Sequence, residues 1–215
     1  MAVNGRVVIT IDRQYGSGGR ITSKRLAEEL GIPFYDEEIL KMTSEESAIG
    51  EQYFRLADEK AGNNLLYRTV TNMKPELSAP VKDGHKLTSP ENLFRFQSEV
   101  IRKLAREQSC IIVGRCADYV LEAEPEVDVV RLFVYADMPT RIRRVMEVDG
   151  VLEEDEAIKK IKRIDRERRE YYKYFTGREW GDMTLYDLPI NATNLTLDQL
   201  SELVKFYMHL RGFQV

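Results

Sequence analysis

Apolar positions along the chain fall into two rhythms. Short β-branched runs recur at Val7, Val8, Ile9 and Ile11, at Cys110-Ile111-Ile112-Val113, and from Val127 to Tyr135. Runs of this kind suit strands buried on both faces. Phe34-Tyr35 can make only a short strand, and Pro189 weakens a last one at Leu188-Pro189-Ile190-Asn191. Between the runs the spacing turns helical. Ile21, Leu26 and Leu30, with Ala27 between, form one stripe before Gly31 and Pro33 end the helix, and residues 37–43 start another. Ser89-Pro90-Glu91-Asn92 opens a helix whose stripe is Leu93, Phe96, Val100, Ile101 and Leu104. Asp137-Met138-Pro139-Thr140 starts a helix bearing Arg141, Arg143 and Arg144, and Asp149-Gly150 turns the chain. Residues 153–175 then read as one long helix. Ile161, Ile164, Tyr171 and Phe175 share one of its faces, Lys162, Arg166 and Arg169 share another, and Asp165 lies at the border. Thr196 precedes a last helix containing Leu197, Leu200, Leu203, Val204 and Tyr207. Strands alternating with helices predict an α/β protein, a three-layer parallel sheet flanked by helices.

Residues 44–90 fit this scheme least. Segments 51–60 and 62–73 suit short helices. Lys74 to Pro90, with three prolines and Asp83-Gly84, reads as a mobile loop and a candidate substrate flap. His85 lies in it, open to solvation or to catalysis. A length of 215 residues suits a single domain over 1–215 with a substantial core. Hydrophobic content of 43% and charged content of 32% describe a soluble globular chain, and no stretch reaches the ~20 apolar residues that span a bilayer. The N-terminus enters a strand at once, so a cytoplasmic location is the expectation. A net charge of −4 argues against general nucleic-acid binding, and positive charge is concentrated in residues 141–178. Cys110 and Cys116 are too few for a disulfide scaffold and fit no zinc spacing, leaving Cys116 as a buried or a pocket-lining thiol.

The candidate chemistry centres on residues 6–30, a strand, a glycine-rich loop and a helix. Gly16, Ser17, Gly18 and Gly19 let the backbone turn tightly against a ligand, and the following helix start presents N–H groups and a favourable dipole to an anion. Arg20 adds a bidentate donor. The whole reads as a phosphate cradle, against the plainer reading of a turn without a ligand. A strict phosphate loop is G-x-x-x-x-G-K-[ST]. Here Arg13 stands at the first glycine and Gly19 at the lysine, with Arg20 and Thr22 displaced from the usual cation and hydroxyl. Asp36 follows a strand, where a carboxylate faces the ligand crevice of an open sheet or caps the next helix. Gln97 lies off the centre of its stripe and could face a pocket. Arg115 follows a buried strand, placed to bind a phosphate or to pair with Asp118 or Glu122. The basic face of the long helix is either a solvated surface or a lid over phosphates.

The stretches ITIDRQYGSGGR, FYDEEIL, IIVGRCADYVL, KKIKRIDRERREYY and YDLPINATNLTLDQL together resemble the cytidylate kinase-like family, within the wider nucleoside monophosphate kinases. The resemblance implies a phosphate-binding-loop kinase fold with a helical lid at 138–178 and an acceptor-side flap or insertion at 44–90. It implies ATP with Mg2+ and transfer of the γ-phosphoryl group to a nucleoside monophosphate such as CMP or dCMP. Its partners would be a nucleoside triphosphate and a small phosphorylated acceptor. On this likeness Gly16, Ser17, Gly18, Gly19, Arg20 and Thr22 face the donor phosphates, and Asn191, Ala192 and Thr193 the donor base. Asp36 and the Gly114-Arg115 pair lie on the acceptor side, and Asp165, Arg166 and Arg169 in the lid. The catalytic set is then Arg20, in place of the missing lysine, with Asp36, Arg115, Arg166 and Arg169. Val113 and Cys116 stand where cytidylate kinases carry acidic neighbours of the Gly-Arg pair. Two other readings remain: a nucleotide-binding module of the same fold with little or no catalysis, and a dinucleotide-dependent oxidoreductase, suggested by Gly16-x-Gly18 and Asp36.

Overall fold

The computed structural model describes residues 6–47 and 89–213. The helices expected at 51–60 and 62–73, nearly all of the 74–90 loop, and His85 fall outside them. Five strands, β1 (Val7–Arg13), β2 (Phe34–Tyr35), β3 (Cys110–Val113), β4 (Asp128–Tyr135) and β5 (Leu188–Asn191), make one sheet in the order β2-β3-β1-β4-β5. Every neighbouring pair is parallel. The described helices are α1 (Gly19–Leu30), α2 (Glu38–Ser47), α3 (Pro90–Glu107), α4 (Ala117–Val120), α5 (Met138–Asp149), α6 (Glu154–Thr176) and α7 (Leu197–Leu210). This is the three-layer arrangement that the alternating pattern predicts. Pro189 sits on β5, which among the described residues bonds only to β4, so an edge strand absorbs its missing N–H. The one-turn α4 carries too little periodicity to be read in advance.

Strand β1 is central, bonded to β3 on one side and to β4 over its full length on the other. Its side chains alternate. Val7, Ile9 and Ile11 pack with Leu26 and Leu30 of α1 and Leu200, Val204 and Met208 of α7. Val8, on the other face, packs with Val100, Ile101 and Leu104 of α3. Farther along that second face the positions are Thr10 and Asp12, both buried, so the core turns polar towards the carboxyl edge. There an aromatic group takes over: Phe133, Tyr171, Tyr172, Trp180 and Tyr186.

The helix starts are set by local chemistry. Ser89 Oγ accepts from the Asn92 amide (3.3 Å), Asp137 from the Thr140 amide (3.0 Å), and Thr196 forms a capping box with Gln199. Helix α1 differs: Gly18 precedes it in the left-handed region, with no side-chain cap. A helix start without a side-chain cap leaves amides for a ligand. Among the described residues no helix is long and apolar enough to cross a membrane.

Ile9 is completely buried at the middle of the sheet. Ile9→Ala is expected to lower unfolding free energy by about 2–5 kcal/mol, read by urea titration. A loss below ~1 kcal/mol would mean that β1 is not the centre of the core.

Candidate functional site

The glycine-rich loop runs from the end of β1 to α1, with Gly16 and Gly18 at φ of 77° and 91°. Within this turn the Ser17 amide donates to the Gln14 carbonyl at 3.2 Å and the Gly19 amide to Ser17 Oγ at 3.4 Å. The Tyr15 amide donates to Asp165 Oδ1 on α6 at 2.8 Å, and Asp165 also pairs with buried Arg141 on α5. Arg144, one turn on from Arg141, donates to three carbonyls: Ser17 (2.7 Å), Ala192 (3.0 Å) and Leu195 (3.0 Å). Desolvation lowers the pKa of its guanidinium, with Arg143 adding to the effect. This arginine ties the loop to the segment after β5.

Beside the loop lies a cavity of about 360 Å³, lined by Arg13, Arg20, Arg115 and Arg168, by the carboxylate of Asp36, and by Glu37 and Glu167. Four different elements or turns deliver these cations. Arg13 is the last residue of β1, and Arg20 lies in the first turn of α1. Arg115 stands in a turn after β3 where Gly114, Arg115 and Cys116 all have positive φ, 70°, 62° and 52°. Left-handed backbone at two non-glycine residues costs energy, and such strain collects at functional sites. Asp118 and Glu122, the alternative partners for Arg115, bond instead to Tyr172 (2.7 Å) and Arg178 (2.6 Å).

Arg168 projects from α6 and donates to the Arg13 carbonyl at 2.9 Å. Its pKa is lowered by desolvation first and by the neighbouring Arg13 charge second. A cation in that position is stabilised by an arriving anion. Asp36 is buried, accepts from Arg20 Nε at 2.5 Å and lies 3.7 Å from Arg13 Nη2. Burial pushes its carboxyl up, but Arg13, Arg20 and Arg115 outweigh that and hold it below the ordinary carboxylate value. It is therefore an anion at neutral pH and a weak proton acceptor.

The floor of the cavity has the opposite character. Asp12 lines it with Tyr171, Tyr172 and Trp180. Burial, then the nearby Asp118, push Asp12 up to about 7, with Arg13 pulling the other way. Tyr186 reaches Asp12 at 3.5 Å. Cys116 is both buried and on the cavity wall. Gln97 meets the cavity only through the Tyr171 hydroxyl, at 3.3 Å.

The expected site residues divide. Arg20, Asp36 and Arg115 come together in this cavity. Arg166 and Arg169 do not line it. They border a second cavity, of about 630 Å³, with Lys162 and with Gln14 of the glycine-rich loop. Asn191 accepts from the Thr193 amide (3.1 Å) and hydroxyl (2.7 Å), and Thr193 accepts from the Asp137 amide (2.9 Å), so both lie at the junction of β5 and α5. Thr22 belongs to the buried stripe of α1, its hydroxyl enclosed and without a partner among the described residues. Exposed Ile21 precedes it. These groups do not build a metal site, and the described residues contain no cluster of three His, Cys, Asp or Glu side chains that could hold an ion. Sequence reasoning missed Arg13, Arg168 and Asp12. Arg168 carried a readable signal: it falls four residues after Ile164 and three before Tyr171, a charge on the apolar stripe.

The profile described as the cytidylate kinase-like family matches residues 8–194. A cytidylate kinase of Methanosarcina mazei is 26% identical over 188 residues, covering 86% of each chain. One from Methanopyrus kandleri is 24% identical, covering 93% of this chain and 91% of its own. A crystal structure of an uncharacterized protein from Eubacterium ventriosum superposes with a TM-score of 0.67 at 26% identity, covering 95% of this chain and 99% of that one.

Asp12 holds its proton to about pH 7 when folded, against an ordinary value of 3.8. Between those values the folded state binds more protons than the unfolded chain, so this carboxyl makes the protein less stable as pH rises. Asp12→Asn is expected to gain stability over wild type progressively from pH 4 to about 7 and to level off above. Urea titrations of both proteins across that range provide the measurement. A difference independent of pH would show that Asp12 titrates normally.

Proposed function

Because the chain belongs to the cytidylate kinase-like family, we propose that it is a nucleoside monophosphate kinase, moving the γ-phosphoryl group of ATP to a pyrimidine nucleoside monophosphate, CMP or dCMP first. The observation that carries this reading is the cavity beside the glycine-rich loop, where Arg13, Arg20, Arg115 and Arg168 gather around the buried, ionised carboxylate of Asp36, with Glu37 and Glu167 also on the lining. Phosphoryl transfer asks a protein mainly to align two phosphates, offset their charge and exclude water. That demand matches a glycine-rich loop next to a basic pocket.

In this reading the Gly16-Ser17-Gly18-Gly19 loop receives the donor phosphates, and the Ser17 and Gly19 amides, which bond to the Gln14 carbonyl (3.2 Å) and Ser17 Oγ (3.4 Å), turn to the ligand when it enters. Arg115, fixed by its strained turn, takes the acceptor phosphate, and Arg168 offsets charge from α6. Arg166 and Arg169, grouped with Lys162 beside Gln14, screen the donor from the far side of the loop. The Asn191-Ala192-Thr193 segment, tied to the loop by Arg144, borders the donor base. Asp36 holds Arg20 and orients the acceptor. It need not act as a base, because a phosphate monoester near neutral pH is largely a dianion, with a second pKa of about 6. The enclosed Thr22 hydroxyl gives Mg2+ no built site here, so the ion is assigned to the nucleotide as its counter-ion and no step is routed through it.

Labelled γ-phosphate from ATP with magnesium, offered to a panel of nucleoside monophosphates, tests the reading. Product from CMP or dCMP supports it, and product from another monophosphate moves the acceptor. ATP binding with no transfer to any acceptor would instead favour a nucleotide-binding module, consistent with glycine at the lysine position. With an acceptor found, Arg115→Ala is expected to raise its KM by about 10- to 100-fold, the worth of a charge-assisted hydrogen bond. An unchanged KM would remove Arg115 from the acceptor site.

A further inference from the structure

The departures from the strict phosphate loop at Arg13 and Gly19 touch each other in space. A Cβ on Gly19 would lie 2.8 Å from the Cβ of Arg13, 3.3 Å from its Cγ, and 3.1 Å from the Cβ of Val134. A lysine at position 19 has no room while Arg13 is there. Farther out, Arg13 Nη1 lies 2.5 Å from where a Cβ on Gly114 would stand. Its Nη2 is 3.7 Å from Asp36. The chain thus forgoes a Cβ at two positions along the length of one arginine side chain. That side chain starts beside the position of the usual lysine and ends in the cavity next to the Arg115 turn.

We propose that Arg13 and Gly19 are an exchanged pair, with Arg13 supplying from the end of β1 the cation that a strict loop supplies from the start of its helix. The inference rests on the kinase reading and names the cation at the donor–acceptor junction. Arg20, to which the sequence assigns that role, is the weaker choice: its side chain is 61% exposed and its Nε is engaged by Asp36 at 2.5 Å. During transfer the bond between the γ-phosphorus and the bridging oxygen breaks. Its electron pair leaves with ADP, while an oxygen of the acceptor phosphate forms the new bond. Arg13 keeps its proton throughout and donates hydrogen bonds to oxygens whose negative charge grows. A planar fork held on a strand suits that task, and lysine, a single point donor, would not replace it.

Four proteins and one control test the exchange: wild type, Arg13→Gly, Gly19→Lys, the double variant Arg13→Gly/Gly19→Lys, and Arg13→Gln, which keeps most of the volume without the charge. ATP–magnesium affinity is measured by calorimetry, transfer by labelled phosphate, and folding by the melting temperature without nucleotide. Arg13→Gln is expected to melt like wild type, to bind ATP at least tenfold more weakly, and to turn over at least 100-fold more slowly, in line with the loss of one preorganised donor. Gly19→Lys should lose stability and activity through its collision with Arg13. The double variant should recover both to within about tenfold of wild type, because the first glycine and the lysine of the strict loop are then back in place, Arg20 alone still standing at its Ser/Thr position. Wild-type affinity and rate in Arg13→Gln would overturn the inference while leaving the kinase reading intact. A folded double variant no better than either single one would also overturn it. Wild type that binds ATP but transfers nothing overturns the kinase reading alone, and the affinity of Arg13→Gln still decides the role of Arg13. Wild type that does not bind ATP overturns both.

Discussion

Positive charge held together against its own repulsion is the constraint around which this molecule is arranged. Arg13, Arg20, Arg115 and Arg168 border one cavity, and Asp36 is the buried carboxylate in direct contact with Arg20 and near Arg13 that offsets part of their charge. Like charges a few Å apart repel by several kcal/mol in a partly buried setting. Such a group cannot assemble through its own attraction, so the fold must hold it, with the stability of the core meeting the cost. The pKa of Arg168 is lowered by its burial first and by the neighbouring charge of Arg13 second. A phosphate entering the cavity would relieve that repulsion, and this links the electrostatics of the empty fold to a preference for anions.

The scaffolding is correspondingly firm. Arg13 ends the central strand, whose residues Val7, Ile9 and Ile11 are locked into the core of α1 and α7. Arg115 sits on a turn bonded back to β1, the Gly114 amide donating to Ile11 at 3.0 Å. Arg168 comes from α6, whose aromatic residues Tyr171 and Tyr172 pack into the group around Phe133. Asp165, on the same helix, holds the Tyr15 amide of the glycine-rich loop. Strand, turn, helix and loop therefore fix one another through contacts that also build the cavity. Strain at Arg115 and Cys116 is tolerable because the Ala117 amide closes the turn onto Gly114, at 3.1 Å.

Much of this was legible in the chain. The β-branched runs gave the strands, and the change from one rhythm to the other gave the helices. Parallel pairing of β3 with β1 then set the ends of both strands, and with them Arg115 and the loop, on one edge. What a linear reading cannot supply is proximity between residues that local pattern treats as separate defects. Arg13 and Gly19 looked like two departures from a motif, and only the contact between their side-chain positions makes them one feature. The arginines of α6 show a related limit. Arg166 and Arg169 formed an evident basic face, yet Arg168, standing on the apolar stripe, is the one that lines the first cavity. A charge on a buried stripe is worth more attention than a run of charges on an open face, because burial without a partner is costly. Asp12 follows the same logic on a strand: it falls on the alternate positions that should be apolar.

The polar floor and the basic rim also constrain each other. An ionised Asp12 would cancel part of the charge that the arginines bring, and Asp36 already cancels some. Burial among aromatic rings and the proximity of Asp118 push the proton onto Asp12 instead, so the floor offers hydrogen bonds near neutral pH while leaving much of the positive field to the rim. Asp36, in contact with Arg20 and close to Arg13, is driven the other way. Asp12 and Asp36, two of the carboxyls that line the cavity, are thus driven in opposite directions, Asp12 by burial and then by a second acid, Asp36 by the arginines around it. The same cavity therefore offers a ligand both arginine donors and, below about pH 7, a neutral carboxylic acid.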